Sequence, residues 1–260
     1  MNNQQLIAFI ERDKTDTSTS SWVSPSLKYF YIGLGKTASS RIKLSLHKLE
    51  GHEATGRHFP WLHARDKPNQ DFVATLNDFT TDEATQIMNA SDWFRFCFVR
   101  NPYDRLFSAY KSFIMQDITP PSPFYNKIKD DIRRMYDYTY RAEKQGGTVT
   151  FRDFVQYVED TIKQRRDYHW CTMTDGLRPD LINYDFVGYF EHFNRDFKHV
   201  LQQLGVDEVL IPDLLDPVNE SNIKRLPLAA VYDWDLADRV YQLYKKDFET
   251  YGYERNSWLF

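Results

Sequence analysis

Residues 27–49 read LKYFYIGLGKTASSRIKLSLHKL. The run 27–32 is short, apolar and aromatic, and Gly33-Leu34-Gly35 stops it, which predicts a buried strand ending at a tight turn. Over 38–49, Ile42, Leu44, Leu46 and Leu49 make a helical stripe. The unit is therefore strand, glycine turn, helix. The turn, GLGKTASSR at 33–41, holds two glycines, a lysine and three hydroxyls. Glycines let backbone approach an anion, successive N–H groups form a nest, and the helix N-terminus adds about half a positive charge. Lys36 can neutralise charge on a departing phosphate. The nucleoside triphosphate loop G-x-x-x-x-G-K-[ST] needs its first glycine where this chain has Phe30, so the cradle is smaller and suits one 5′-phosphate with its attached group. Taken alone, G-x-G-K-T also fits a plain strand-to-helix turn carrying a solvated lysine.

A second unit lies at 93–110, WFRFCFVRNPYDRLFSAY. Its first half is strand-like; Asn101 then offers an N-cap and Pro102 stands at the first helical position, predicting a helix over 103–116. Leu106, Ala109, Tyr110 and Phe113 share one face and read as core. Arg100 falls at the carboxyl end of the strand and Ser108 two helical turns on. Ligands of open α/β sheets bind outside the carboxyl ends of strands, so Arg100 and Lys36 can converge on one nucleotide. The competing reading pairs Arg100 and Arg105 with Asp104 or other carboxylates.

Elsewhere, Thr80-x-x-Glu83 is a capping box, and helices are expected over 125–145, 150–163, 193–204 and 233–251, with a strand over 184–190. This alternation predicts an α/β, P-loop-like three-layer fold: a central, mostly parallel sheet flanked by helices. The polar, Ser- and Thr-rich stretch 13–26 reads as a loose segment, giving an N-terminal arm at 1–26 and a single domain at 27–260.

With 33 basic and 37 acidic residues and a net charge of −4, the chain has no global field for nucleic acid or an anionic membrane. The start, MNNQQLIAFIERDK, lacks a basic region leading into an apolar stretch, and no run approaches the ~18 apolar residues of a membrane span. A soluble, cytoplasmic protein is expected. Cys97 and Cys171 make no disulfide framework and need no catalytic role.

The motifs together carry a family resemblance. GLGKTASSR at 33–41 resembles the 5′-phosphosulfate loop, and VRNPYDRLFSAY at 99–110 the 3′-phosphate motif, of the carbohydrate-type sulfotransferases (sulfotransferase family 2). The likeness continues through DYHW at 167–170, DFVGYFE at 185–191, NRDF at 194–197, PVNES at 217–221 and YKKDFETYGY at 244–253. It implies sulfonate transfer from 3′-phosphoadenosine-5′-phosphosulfate (PAPS), with 3′-phosphoadenosine-5′-phosphate (PAP) as product. The acceptor would be a hydroxyl or amine of a glycan or small-molecule natural product. By the same resemblance Gly35, Lys36, Thr37, Ala38, Ser39, Ser40 and Arg41 hold the 5′-phosphosulfate and Arg100 and Ser108 the 3′-phosphate, while Arg105 is structural. Many relatives have proline before the lysine, where this chain has Gly35.

Sulfonate transfer resembles loose phosphoryl transfer, and Lys36 with the helix terminus suffices without a metal. The acceptor must also lose a proton, which a histidine commonly accepts. His58 ranks first, within the stretch that also holds His52, Glu53 and His63; His169 in DYHW ranks second, and Glu53 is a carboxylate alternative. The spacing of His58 and His63 finds no further ligand to complete a zinc set. The alternatives are an ATP-dependent P-loop kinase and a non-catalytic nucleotide-binding module.

Overall fold

The computed structural model describes residues 3–15, 20–52, 73–115, 123–136, 149–163, 167–215 and 226–260. In chain order the elements are α1 (Asn3–Thr15), β1 (Ser20–Ser24), β2 (Tyr29–Gly33), α2 (Ser39–Leu49), α3 (Thr81–Asn89), β3 (Phe94–Val99), α4 (Pro102–Tyr110), α5 (Pro123–Met135), α6 (Phe151–Thr161), α7 (Met173–Leu177), β4 (Phe186–Tyr189), α8 (Phe193–Gln203), α9 (Ile211–Leu214) and α10 (Trp234–Tyr251). They form two compact units, Met1–Arg100 with Met173–Glu220, and Asn101–Thr172 with Ser221–Phe260.

The first unit contains a four-stranded sheet in the order β1-β2-β3-β4. β2, β3 and β4 run parallel and β1 pairs antiparallel with β2. The α/β class, with a mostly parallel sheet flanked by helices, is the architecture expected. All five residues of β2 are buried, as befits a strand covered on both faces. On one face Tyr29, Tyr31, Phe96 and Phe98 pack with Ile42 and Leu46 of α2 and with Phe193, Phe197, Val200 and Leu201 of α8. That face is almost wholly aromatic and branched aliphatic, which suits a pleated surface meeting amphipathic helices.

Residues 20–24, read from sequence as part of a loose arm, instead form β1, paired from Ser20↔Gly33 to Ser24↔Tyr29. Trp22 and Val23 are buried, and the buried Ser21 hydroxyl oxygen accepts a hydrogen bond from the Leu76 amide at 3.3 Å. Hydroxyl-rich composition signals a loop locally, but an available ladder on β2 and a neighbouring donor satisfy these polar groups within the sheet.

In the second unit, the buried face of α4 (Tyr103, Leu106, Phe107, Tyr110) packs with Phe151, Phe154, Val155 and Val158 of α6, with Val240, Tyr244 and Phe248 of α10, and with Trp170. Leu106, Ala109, Tyr110 and Phe113 are all core, as the sequence predicts. The helix expected to run unbroken over 103–116 changes at Lys111 into a π-helical turn, Lys111–Met115. The Thr80 and Thr150 capping boxes close with Glu83 and Asp153.

Candidate functional site

Three neighbouring parallel strands end side by side. β2 runs into the segment 34–38, β3 ends one residue before Arg100, and β4 ends one residue before Phe190. Parallel pairing thus brings a loop, a cation and an aromatic ring to one edge of the sheet. This is the crevice in which open α/β sheets hold ligands.

The loop's backbone is unusual. Lys36 and Ala38 both adopt the left-handed conformation, with φ of 70° and 68°, flanking Thr37. A non-glycine residue there costs roughly 1–2 kcal/mol, and such outliers cluster at functional sites. Turns with left-handed residues turn successive N–H groups toward one point, making an anion nest. Ala38 is also the N-cap of α2, with no side-chain capping bond, and no acidic residue stands in the helix's first turn. The positive end of α2 therefore relies on something other than a serine cap or a carboxylate.

The side chains divide the work. Gly33 answers a packing need: a Cβ would lie 2.9 Å from the Tyr31 hydroxyl and 3.2 Å from Ser39 Cβ. The fully buried Thr37 donates its hydroxyl to the Leu34 carbonyl at 3.0 Å. Its single hydroxyl hydrogen holds the turn, which leaves the backbone N–H as the Thr37 donor suited to an anion. Lys36, Ala38, Ser40 and Arg41 are half-buried, and Gly35 and Ser39 are buried.

Arg100 is 8% exposed; its Nη1 donates to the Lys36 carbonyl at 3.0 Å, and its guanidinium lies 3.9 Å from the centre of the Phe190 ring. It is bonded to the loop's own backbone. A charge-assisted bond of this kind is worth about 1.5–3 kcal/mol, enough to hold Lys36 in its strained conformation. Arg41 turns to α8: its Nη2 donates to Asn194 Oδ1 at 3.1 Å and its guanidinium lies 4.2 Å from the Phe193 ring centre.

Two sequence motifs without an assigned role turn out to build this edge. In NRDF, Asn194 holds Arg41, and Asp196 accepts from the Tyr189 amide at 2.8 Å, tying α8 to the end of β4. In DFVGYFE, Asp185 works at the opposite edge, the amino ends of β3 and β4, where it accepts from the Arg95 amide at 2.7 Å and pairs with its guanidinium at 3.0 Å. Gly188 leaves room for the Phe98 ring, which a Cβ would meet at 2.5 Å, and Phe190 lies under Arg100. The signal was present as motif spacing, but the partners of Asn194 and Asp185 are 153 and 90 residues away in sequence.

In the second unit, Asn101 caps α4 by accepting from the Tyr103 amide at 3.0 Å, and Ser108 sits half-buried on α4. Arg105 is buried and donates to the carbonyls of Cys171 and Tyr168 at 2.5 and 2.9 Å. His169 stands in that same turn, with Nδ1 2.8 Å from Asp167 Oδ1. His52 follows α2, its ring 4.7 Å from that of His47. His58, His63 and Glu53 lie outside the described residues. Both cysteines are buried, and burial pushes the Cys97 thiol far above its ordinary value, which makes it unreactive. Among the described residues no helix is long and apolar enough to cross a membrane, and no three His, Cys, Asp or Glu side chains gather as metal ligands. An open cleft of about 430 Å³, lined by Asp92, Trp93, Asp185 and His199, lies at the amino ends of β3 and β4, opposite the loop.

A left-handed loop leading into a helix N-terminus, braced by an arginine at the carboxyl ends of parallel strands, defines an α/β protein whose sheet edge suits an anion. Comparison with known proteins narrows the class: the profile of the Sulfotransferase family matches residues 19–254, and the chain belongs to that family. It is 27% identical over 196 residues to carbohydrate sulfotransferase 10 of Xenopus laevis, covering 71% of this chain and 54% of that protein. It is 28% identical over 193 residues to carbohydrate sulfotransferase 11 of Mus musculus, with 72% and 54% coverage. Carbohydrate sulfotransferase 14 of Danio rerio is 31% identical over 118 residues, covering 45% of this chain and 31% of that protein. The chain thus spans about half the length of the first two relatives. No solved structure matches it significantly.

Proposed function

We propose that this protein is a PAPS-dependent sulfotransferase that transfers a sulfonate group to a hydroxyl or amine of a glycan. A small natural product bearing the same groups is the other acceptor class. The observation that carries the reading is the 34–41 loop with its two left-handed residues, clamped by Arg100 at the carboxyl ends of the strands. Membership of the Sulfotransferase family and the carbohydrate sulfotransferase names of the relatives support it. The loop fits a 5′-phosphosulfate: it offers backbone N–H groups at a helix N-terminus without a carboxylate in the first turn, and Lys36 supplies a cation.

The donor supplies an activated sulfonate. The acceptor oxygen or nitrogen attacks sulfur in line, the sulfur–oxygen bond to the 5′-phosphate breaks, and its electron pair leaves with PAP. Lys36 and the loop amides offset the charge on that phosphate. Arg100 and Ser108 are assigned to the 3′-phosphate. The acceptor's proton goes to a histidine, His58 or His169. The Asp167 contact favours His169, because a carboxylate on one ring nitrogen fixes the other as proton acceptor.

Calorimetry with PAP, ATP and AMP tests the donor. PAP should bind at least tenfold more tightly than ATP or AMP, and Lys36→Ala should abolish sulfonate transfer from PAPS to an oligosaccharide mixture. Equal affinity for ATP would return the kinase alternative.

A further inference from the structure

The turn Asp167–Cys171 is held more tightly than a connecting segment requires. Its backbone closes on itself, with the amides of Trp170 and Cys171 donating to the Asp167 carbonyl at 3.1 and 2.7 Å. Its outward carbonyls are then taken up from two helices. Arg105 of α4 donates to Tyr168 at 2.9 Å and to Cys171 at 2.5 Å, and the Tyr244 hydroxyl of α10 donates to Trp170 at 2.5 Å. Asp167, Arg105, Trp170, Cys171 and Tyr244 are all buried, and His169 keeps 17% of its side chain exposed.

Burying a guanidinium and a carboxylate is expensive unless each is well bonded. Here the carboxylate oxygen Oδ1 accepts twice from one residue, from the His169 amide at 2.9 Å and from its ring Nδ1 at 2.8 Å. The edge contact with Phe113, ring centres 4.6 Å apart at 68°, closes a further side of the imidazole. Phe113 lies in the π-helical turn that follows α4, a deviation that re-aims side chains and is frequent at functional sites.

We infer that Asp167 and Arg105 are positioning residues that present His169 as the base for the acceptor, an inference that rests on the sulfotransferase reading. Asp167 accepts a hydrogen bond from Nδ1–H, so the neutral imidazole keeps its proton on Nδ1 and carries its lone pair on Nε2. As the acceptor oxygen bonds to sulfur and the phosphate leaves with the electron pair of the broken bond, the acceptor proton passes to Nε2. The resulting imidazolium is stabilised by the Asp167 carboxylate. Arg105 acts one step back, fixing through two carbonyls the turn that aims the ring.

Two measurements on the full chain test this. Nitrogen-15 NMR of the imidazoles, with His169 assigned by His169→Gln, should show a neutral ring protonated at Nδ1 in the wild type, and that signature should be lost in Asp167→Asn. PAP release from PAPS with an oligosaccharide mixture should fall by about 10²–10⁴ in kcat for His169→Gln and for Asp167→Asn, with PAP affinity within about twofold of wild type. The double variant should fall no further than either alone, as for groups acting as one unit. Arg105→Lys should lower kcat with the same Nδ1 signature weakened; should that variant fail to fold, Asp167→Asn carries the test. Wild-type turnover in His169→Gln, or an Nε2-protonated ring in the wild type, would overturn the inference. The tautomer is read without donor or acceptor, so an Nδ1-protonated ring in a wild type that transfers no sulfonate overturns the functional reading instead.

Discussion

At the scale of single residues, the loop is governed by Ala38 and Arg100. Ala38 holds φ at 68°, a conformation that glycine enters freely and β-branched residues scarcely enter at all. Ala38→Val should therefore destabilise the protein by about 1–2 kcal/mol and weaken PAP binding, whereas Ala38→Gly should leave the thermal midpoint unchanged or slightly raised. Thermal denaturation of the two variants reads the difference. Arg100 serves the loop through the Lys36 carbonyl as well as any 3′-phosphate. Arg100→Ala should thus weaken adenosine 5′-phosphosulfate and PAP alike, by tenfold or more given about 1.5–3 kcal/mol for the lost bond. Calorimetry showing a loss for PAP alone would confine the guanidinium to the 3′-phosphate. None of this was legible from residue type: Lys36 and Arg100 stood out as cations, but the carbonyl joining them is a backbone atom, which every residue has.

At the scale of elements, strand and helix positions followed closely from pattern. The 27–32 run, the 93–99 run and the 193–204 stripe appear as β2, β3 and α8 with shifts of a residue or two, because burial on both faces or on one stripe leaves a strong periodic mark. β1 escaped because its hydroxyl-rich residues resemble a loop until a partner strand is present. The π-helical turn after α4 left no periodic trace either. Gly188 illustrates how elements constrain each other: its missing Cβ makes room for the Phe98 ring of the neighbouring strand. Gly188→Ala should cost about 1–3 kcal/mol through overpacking, and adding Phe98→Leu should recover part of it. Urea denaturation of the single and double variants measures the coupling; simple additivity would mean that the ring moves aside without strain.

At the scale of the whole molecule, the aromatic content that sequence counts as bulk hydrophobicity becomes a titration property. Tyr29, Tyr31, Tyr232 and Tyr244 are buried, and burial before any other cause pushes their phenols well above the ordinary value near 10. Above about pH 10 the unfolded chain releases these protons while the folded chain keeps them, so the unfolded state binds fewer protons and stability falls as pH rises. Each such group steepens the fall by up to about 1.4 kcal/mol per pH unit. The urea midpoint should hold up to about pH 9 and drop steeply above 10. Tyr31→Phe should lessen that drop and cost little at neutral pH, since the Tyr31 hydroxyl has no hydrogen-bond partner among the described residues.

The sequence by itself determined the α/β class, the order of the principal strands and helices, the strand–turn–helix unit at 27–49 and the family. These rest on local periodicity, turn chemistry and short contiguous motifs, which need no partner to be read. Only the tertiary structure decided that Arg100 braces Lys36, that Arg41 is held by Asn194, and that residues 20–24 complete the sheet. It also decided that Arg105 and Asp167 are spent on the turn bearing His169. Apart from the β1 ladder, which joins backbone to backbone, each of these is a bond from a side chain to a backbone atom or a distant residue. Such bonds have no sequence period, since only the folding of the chain sets which carbonyl or amide lies within 3 Å of a given charge.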